Sequence, residues 1–146
     1  MPAASTHIVI RRPRTDVFSV LSDVTQTPRW HPAATEEYWT SDGPIGVGST
    51  RRAVSRSMGI RAENEAVVTA FEPGTALGLR SLDSPIPFEM SIALAEAPGG
   101  TEIDWSVRMS GAGWRRPMAT VGLSAFMRQL EVGLGNLKRL MEAGEL

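Results

Sequence analysis

A long amphipathic stretch at the end of the chain, preceded by mostly strand-like sequence, constrains the fold more than any other feature. Over residues 117–143, Ala119, Leu123, Phe126, Leu130, Leu134, Leu137 and Met141 recur at spacings of three and four, the period of one helix face. At its usual rise such a helix runs about 40 Å, so its apolar stripe needs an equally long surface to lie on. The residues before it offer only a sheet. A helix laid on a curved sheet can enclose a hollow, and the chain is therefore expected to be a container for an apolar small molecule.

The strand pattern supports this. Residues 5–11 alternate, with Ile8 and Ile10 on one side and His7, Val9 and Arg11 on the other, and end before Pro13. Val17, Phe18, Val20, Leu21 and Val24 then follow a helical spacing, and Pro13 presets the dihedral of a first helical turn. Pro28 and Pro32 bracket Arg29, Trp30 and His31; each proline removes a backbone donor, so this segment is expected to be a loop carrying a large aromatic. A second strand begins near residues 36–40. After a turn at Gly43, Pro44, Gly46 and Gly48, strands are expected over 49–57, 60–71, 76–82, 87–95 and 101–110. Reversals fall at Met58-Gly59, Glu72-Pro73-Gly74, Asp83 to Pro85 and Pro98-Gly99-Gly100. Phe88, Met90, Ile92 and Leu94 share one face of their strand, as do Ile103, Trp105, Val107 and Met109 of theirs. Connections this short cannot make parallel crossovers, so the sheet is expected to be an antiparallel meander within a single domain over residues 1–146.

Composition narrows the function classes. A formal net charge of -1 gives no general attraction to phosphate backbones, so nucleic acid is not an expected partner. The absence of cysteine excludes disulfides and thiolate metal sites, and two histidines more than twenty residues apart are a poor metal pair. No metal and no cofactor are expected. There is no phosphate-cradling loop and no G-x-S-x-G elbow. The N-terminal residues lack a secretory pattern, and no run of about 18 apolar residues marks an integral membrane segment. A cytoplasmic protein is expected, and the sequence leaves a homodimer open.

The order of signals resembles a known family. I-x-R-P-x-x-D-V-F-x-V-L-x-D from Ile10 to Asp23, P-R-W-H-P from Pro28 to Pro32, G-P-x-G-V-G-S from Gly43 to Ser49, F-E-P-G from Phe71 to Gly74, G-G-T-E-I from Gly99 to Ile103 and L-K-R-L-M-E from Leu137 to Glu142 look like the polyketide cyclase/dehydrase and lipid-transport group of the START-like, birch-pollen-allergen-like superfamily. The resemblance spans nearly the whole chain. It implies an α+β helix-grip fold, in which a curved antiparallel sheet wraps a long C-terminal helix, with short helices after the first strand and a pocket between sheet and helix. Members include aromatase/cyclases and lipid or hormone binders, so fold alone does not fix the function.

Helical and strand phase nominate the wall of such a pocket: Phe88, Met90, Ile92, Trp105, Val107, Met118, Gly122, Phe126, Gln129 and Leu130, with Trp30 on the loop at its entrance, where an apolar plug that fixes the loop is the commoner role than a ring stacked on the ligand. Methionines would let that wall adapt to a ligand's shape. Gly122, Gly133 and Gly135 each cost the helix about 1 kcal/mol relative to alanine. They either leave room for a ligand or permit close packing on the sheet. His31 is a candidate acid or base, although a loop-anchoring histidine is the commoner case. Arg80, among apolar neighbours in LGLRSL, would polarise a ketone if buried, and Tyr38 is a further polar candidate. Arg115 and Arg116, beside Trp114 and before Pro117, suit an anionic partner, although an exposed arginine pair explains them as well. An apolar or aromatic ligand, lipid or polyketide-like, is the leading expectation. A cyclase/aromatase or dehydratase acting on such a ligand is the alternative, and a protein-interaction module without ligand is the third.

Overall fold

A computed structural model describes residues 3–57, 59–84, 86–111 and 113–146. Met58 and Pro85, which stand in two of the expected reversals, lie outside the described residues. The chain runs β1 (Ala3–Ile10), α1 (Arg14–Ser22), a 3-10 turn (Val24–Gln26), α2 (Thr27–Trp30), β2 (Ala34–Trp39), β3 (Thr50–Ser57), β4 (Ile60–Glu72), β5 (Ala76–Ser81), β6 (Phe88–Ala97), β7 (Gly100–Met109) and α3 (Arg115–Glu142). The strands form one antiparallel sheet in the order β1-β7-β6-β5-β4-β3-β2. Strands two to seven are thus a meander, and β1 closes onto the last of them.

The segment around the two prolines is the main departure from expectation. It is not a loop: the 3-10 turn and α2 occupy it, with Pro28 in the first turn of α2, where a missing N–H is harmless. Asp23 opens this region by accepting the Thr25 N–H at 3.2 Å. The strands and α3 lie where the periodicities put them, within a few residues.

The core sits between the concave face of the sheet and α3. Ile103, Trp105 and Val107 of β7, Ile92 and Leu94 of β6, Leu77 and Leu79 of β5 and Val68 of β4 turn inward. Against them lie Leu123, Met127, Leu130, Leu134, Leu137 and Met141 of α3. The helix approaches β1, β7 and α2 most closely. Its C-terminal half is also tied to the first strand and turn. Lys138 Nζ donates to the Val9 carbonyl at 2.6 Å, Arg12 to the Met141 carbonyl at 2.7 Å, and the Arg11 N–H to Glu142 at 2.9 Å.

Candidate functional site

Cross-strand register decides which polar side chains enter the interior. Trp39, Arg51, Ala66 and Ser81 stand opposite one another on β2 to β5, and the next inward row carries Glu37, Ala53 and Asn64. Arg51 is 4% exposed and Glu37 is 11% exposed. The guanidinium donates to Asn64 Oδ1 at 2.6 Å, and its Nε lies 3.4 Å from Glu37 Oε2, an ion contact without hydrogen-bond alignment. The Thr27 side chain favours the charged form of the same carboxylate. Burial pushes the Glu37 carboxyl above its ordinary value, opposed first by Arg51 and then by Thr27. The same burial lowers the pKa of Arg51, opposed by Glu37. A guanidinium starts so high that it stays charged.

His31 caps the C-terminus of α2, and its ring lies 5.8 Å from that of Trp30 and 6.2 Å from that of Phe126. Its Nδ1 accepts the Ala33 N–H at 3.2 Å, which leaves the neutral ring's proton on Nε2. Burial lowers its pKa, so the imidazole is neutral at pH 7. Trp30 is 3% exposed and meets Trp105 edge to face at 6.1 Å. Both indole N–H groups are buried without a hydrogen-bond partner.

The nominated residues divide by position. Ile92, Trp105, Val107 and Leu130 are buried in the core, while Phe88, Met90, Gly122, Phe126 and Gln129 are half-buried. Trp30 is a core side chain rather than an entrance residue, because α2 turns it under α3. Met118 is half exposed, one and a half turns before the buried part of the stripe becomes continuous. Arg80 is exposed on the convex face: strand alternation turns Leu77 and Leu79 inward, and so points Gly78 and Arg80 outward. Tyr38 is likewise 38% exposed, out of phase with Glu37 and Trp39. The structure therefore does not bring Arg80 and Tyr38 together with His31. It supplies Glu37, Arg51 and Asn64 instead, which the sequence reading did not single out. A shallow depression of about 680 Å³ on the convex side, lined by Ser5, Gly78, Arg80, Ser91 and Ser106, is remote from this cluster. Solvent-facing side chains border most of it.

The three α3 glycines differ. A Cβ on Gly133 would lie 3.2 Å from the Trp30 ring and 3.3 Å from the His31 Cα, so this glycine lets α2 pack against the helix. Gly122 has ordinary room, 3.7 Å from Met109 Sδ and 3.9 Å from Ile86 Cδ1, and Gly135 faces open space.

Residues 1–142 match the family described as "Polyketide cyclase / dehydrase and lipid transport". The chain belongs to this family. A relative in Mycobacterium tuberculosis (strain H37Rv), named only as an uncharacterized protein, is 31% identical over 131 residues, covering 87% of this chain and 77% of its own length. A START superfamily protein from Mycobacterium smegmatis superposes with a TM-score of 0.77 at 13% identity, covering 95% of this chain and 98% of that one. The di-domain aromatase/cyclase BexL superposes with 0.78 at 16% identity, covering 97% of this chain and 47% of BexL. The Ara h 8.0201 structure gives 0.67 at 15% identity, with 93% and 97% covered. The architecture is a helix-grip fold, shared with these structures. No helix among the described residues is long and apolar enough to cross a membrane.

Proposed function

We propose that this protein binds an apolar or aromatic small molecule between the concave face of its sheet and the N-terminal half of α3, with the ligand's polar group at Glu37, Arg51 and Asn64. The observation that carries this reading is the ion pair itself, a carboxylate and a guanidinium with side chains 11% and 4% exposed. Replacing a buried ion pair by apolar side chains is often neutral or stabilising. Stability alone thus gives a weak reason to keep one there, and a polar group to be recognised gives a better one. The unpaired indole N–H groups of Trp30 and Trp105 supply further donors in the same interior. Family membership and the likeness to an aromatase/cyclase fold agree with an apolar or polyketide-like ligand.

Catalysis of the cyclase or dehydratase kind is the second reading, favoured by one observation. Glu37, whose pKa is raised, stands beside a permanent cation. Such a carboxyl can hold a proton for delivery while the guanidinium polarises a ketone oxygen.

Titration with the neutral fluorophore N-phenyl-1-naphthylamine tests binding. Saturable fluorescence enhancement is expected at one probe per chain. Ala53→Phe, which puts a ring on the inward row of Glu37 and Asn64, should weaken it by about tenfold or more, equivalent to about 1.4 kcal/mol. Tyr38→Ala, on the other side of the sheet, should leave it unchanged. Absence of saturable binding, or equal affinity for wild type and Ala53→Phe, overturns the reading.

A further inference from the structure

The outward face of α3 carries an apolar stripe that the interior site does not use. Trp114 is 72% exposed, Met118 50% and Val121 70%. Their spacing of four and three puts all three on one side of the helix, opposite the buried Ala119, Leu123, Met127 and Leu130. Scattered apolar side chains on a surface need no explanation, but a contiguous set with a tryptophan at its end does. The loop after β5 adds Leu82, 48% exposed. That loop reaches this part of the helix, since Ile86 Cδ1 lies 3.9 Å from where a Gly122 Cβ would be.

The charge around the stripe has one sign. Between Asp104 and Glu131 the chain holds Arg108, Arg115, Arg116 and Arg128, and no aspartate, glutamate or lysine. Arg115 and Arg128 are exposed on α3 at the edges of this stripe, and the Arg115 guanidinium lies 5.2 Å from the Trp114 ring centre, whereas Arg116 projects from the opposite side of the helix near Leu123 and Met127 and Arg108 lies on the convex face of the sheet.

We propose that this face docks the protein on an anionic lipid bilayer, with Trp114, Met118 and Val121 entering the interface and Arg115 and Arg128 contacting lipid phosphates. Tryptophan and short apolar side chains on one helix face, flanked by arginine, are the composition of a helix that lies in a membrane surface. Charge decides against a second copy of the chain. A two-fold contact would bring the Arg115 and Arg128 side chains of one copy against those of the other. The uninterrupted apolar run decides against nucleic acid, which would leave it unburied.

Co-sedimentation with lipid vesicles tests the proposal and reads the outside of α3 independently of any ligand inside. Wild type should bind vesicles containing phosphatidylglycerol, bind pure phosphatidylcholine weakly, and lose affinity as salt is raised. Arg115→Ser with Arg128→Ser should weaken binding to the anionic vesicles about thirty-fold, at roughly tenfold or less per charge. Trp114→Ser with Met118→Ser and Val121→Ser should abolish it while leaving far-UV circular dichroism and the melting temperature unchanged, since all three side chains are exposed. No binding to anionic vesicles at low salt, or binding that both variants retain, overturns the proposal. So does a vesicle-free dimer that the triple variant converts to monomer, which would assign the face to a second copy.

Discussion

Arg51 and Arg52 are adjacent and identical, yet one is buried against Glu37 and Asn64 while the other spans Glu63, Glu65 and Asp83 at the surface. Only strand parity separates them. The buried pair is chemically lopsided, because a carboxylate can escape its burial by taking up a proton and a guanidinium cannot. Glu37's folded pKa lies above its ordinary 4.5. It therefore stabilises the fold while protonated, fully so below about pH 4.5, and that contribution is lost as pH rises through the raised value. Glu37→Gln mimics the protonated carboxyl, so it should remove the pH dependence that the raised Glu37 pKa imposes, and its cost should be smaller at pH 8 than at pH 5. Arg51→Met leaves a carboxyl that stays neutral to higher pH, so it should cost clearly less at pH 5 than at pH 8. Urea unfolding of both variants at the two pH values measures this, and equal costs for Arg51→Met would contradict the assignment. None of this was legible beforehand: STRRAVSRS alternates too weakly to choose a face, and Val54, in phase with Arg52, is buried as well. The tractable sign was in β2, where Trp39 shares Glu37's parity and the half-buried pair alternates with exposed Glu36 and Tyr38.

At the scale of elements, regular periodicity was readable and local exceptions were not. The strands and α3 follow from alternation and a three-four spacing, which survive any tertiary context that keeps one face dry. The expectation failed at α2, because two prolines in five residues signal a break whether the chain then loops or starts a helical turn at the first of them. That failure hid the packing of Trp30 under α3, and with it the reason for Gly133. The helix glycines now give opposite forecasts. Gly135→Ala, facing open space, should raise stability by about 0.5–1 kcal/mol through helix propensity. Gly133→Ala collects the same gain but drives a methyl against the Trp30 ring and the His31 backbone, where overpacking costs about 1–3 kcal/mol. Its net effect should be destabilising, accompanied by a change in tryptophan fluorescence. Guanidinium melts of the two variants read the signs directly, and stabilisation by both would show that α2 yields freely.

Across the whole molecule, α3 is one helix with two unlike halves. From Leu130 onward it is clamped: Leu130, Leu134, Leu137 and Met141 are at most 2% exposed, and Arg11, Arg12 and Lys138 fasten it to the start of the chain. Before Leu130 the helix buries Ala119, Leu123 and Met127 but presents a half-buried margin at Gly122, Phe126 and Gln129 and an exposed outer stripe. The clamp fixes the helix on the sheet, and the loosely held half is where a ligand inside and a bilayer outside would both make contact. Amide exchange should show this division. Amides of residues 130–141 should open only with global unfolding, whereas those of residues 116–126 should exchange at least tenfold faster through local opening. A saturating apolar ligand, which bridges the helix margin to the concave face, should slow the early amides selectively, because the later ones are already at the global limit. Anionic vesicles should slow the same early amides without any ligand present. Uniform protection along α3 in the free protein would mean that both halves belong to a single cooperative unit, leaving neither event a loose element to order.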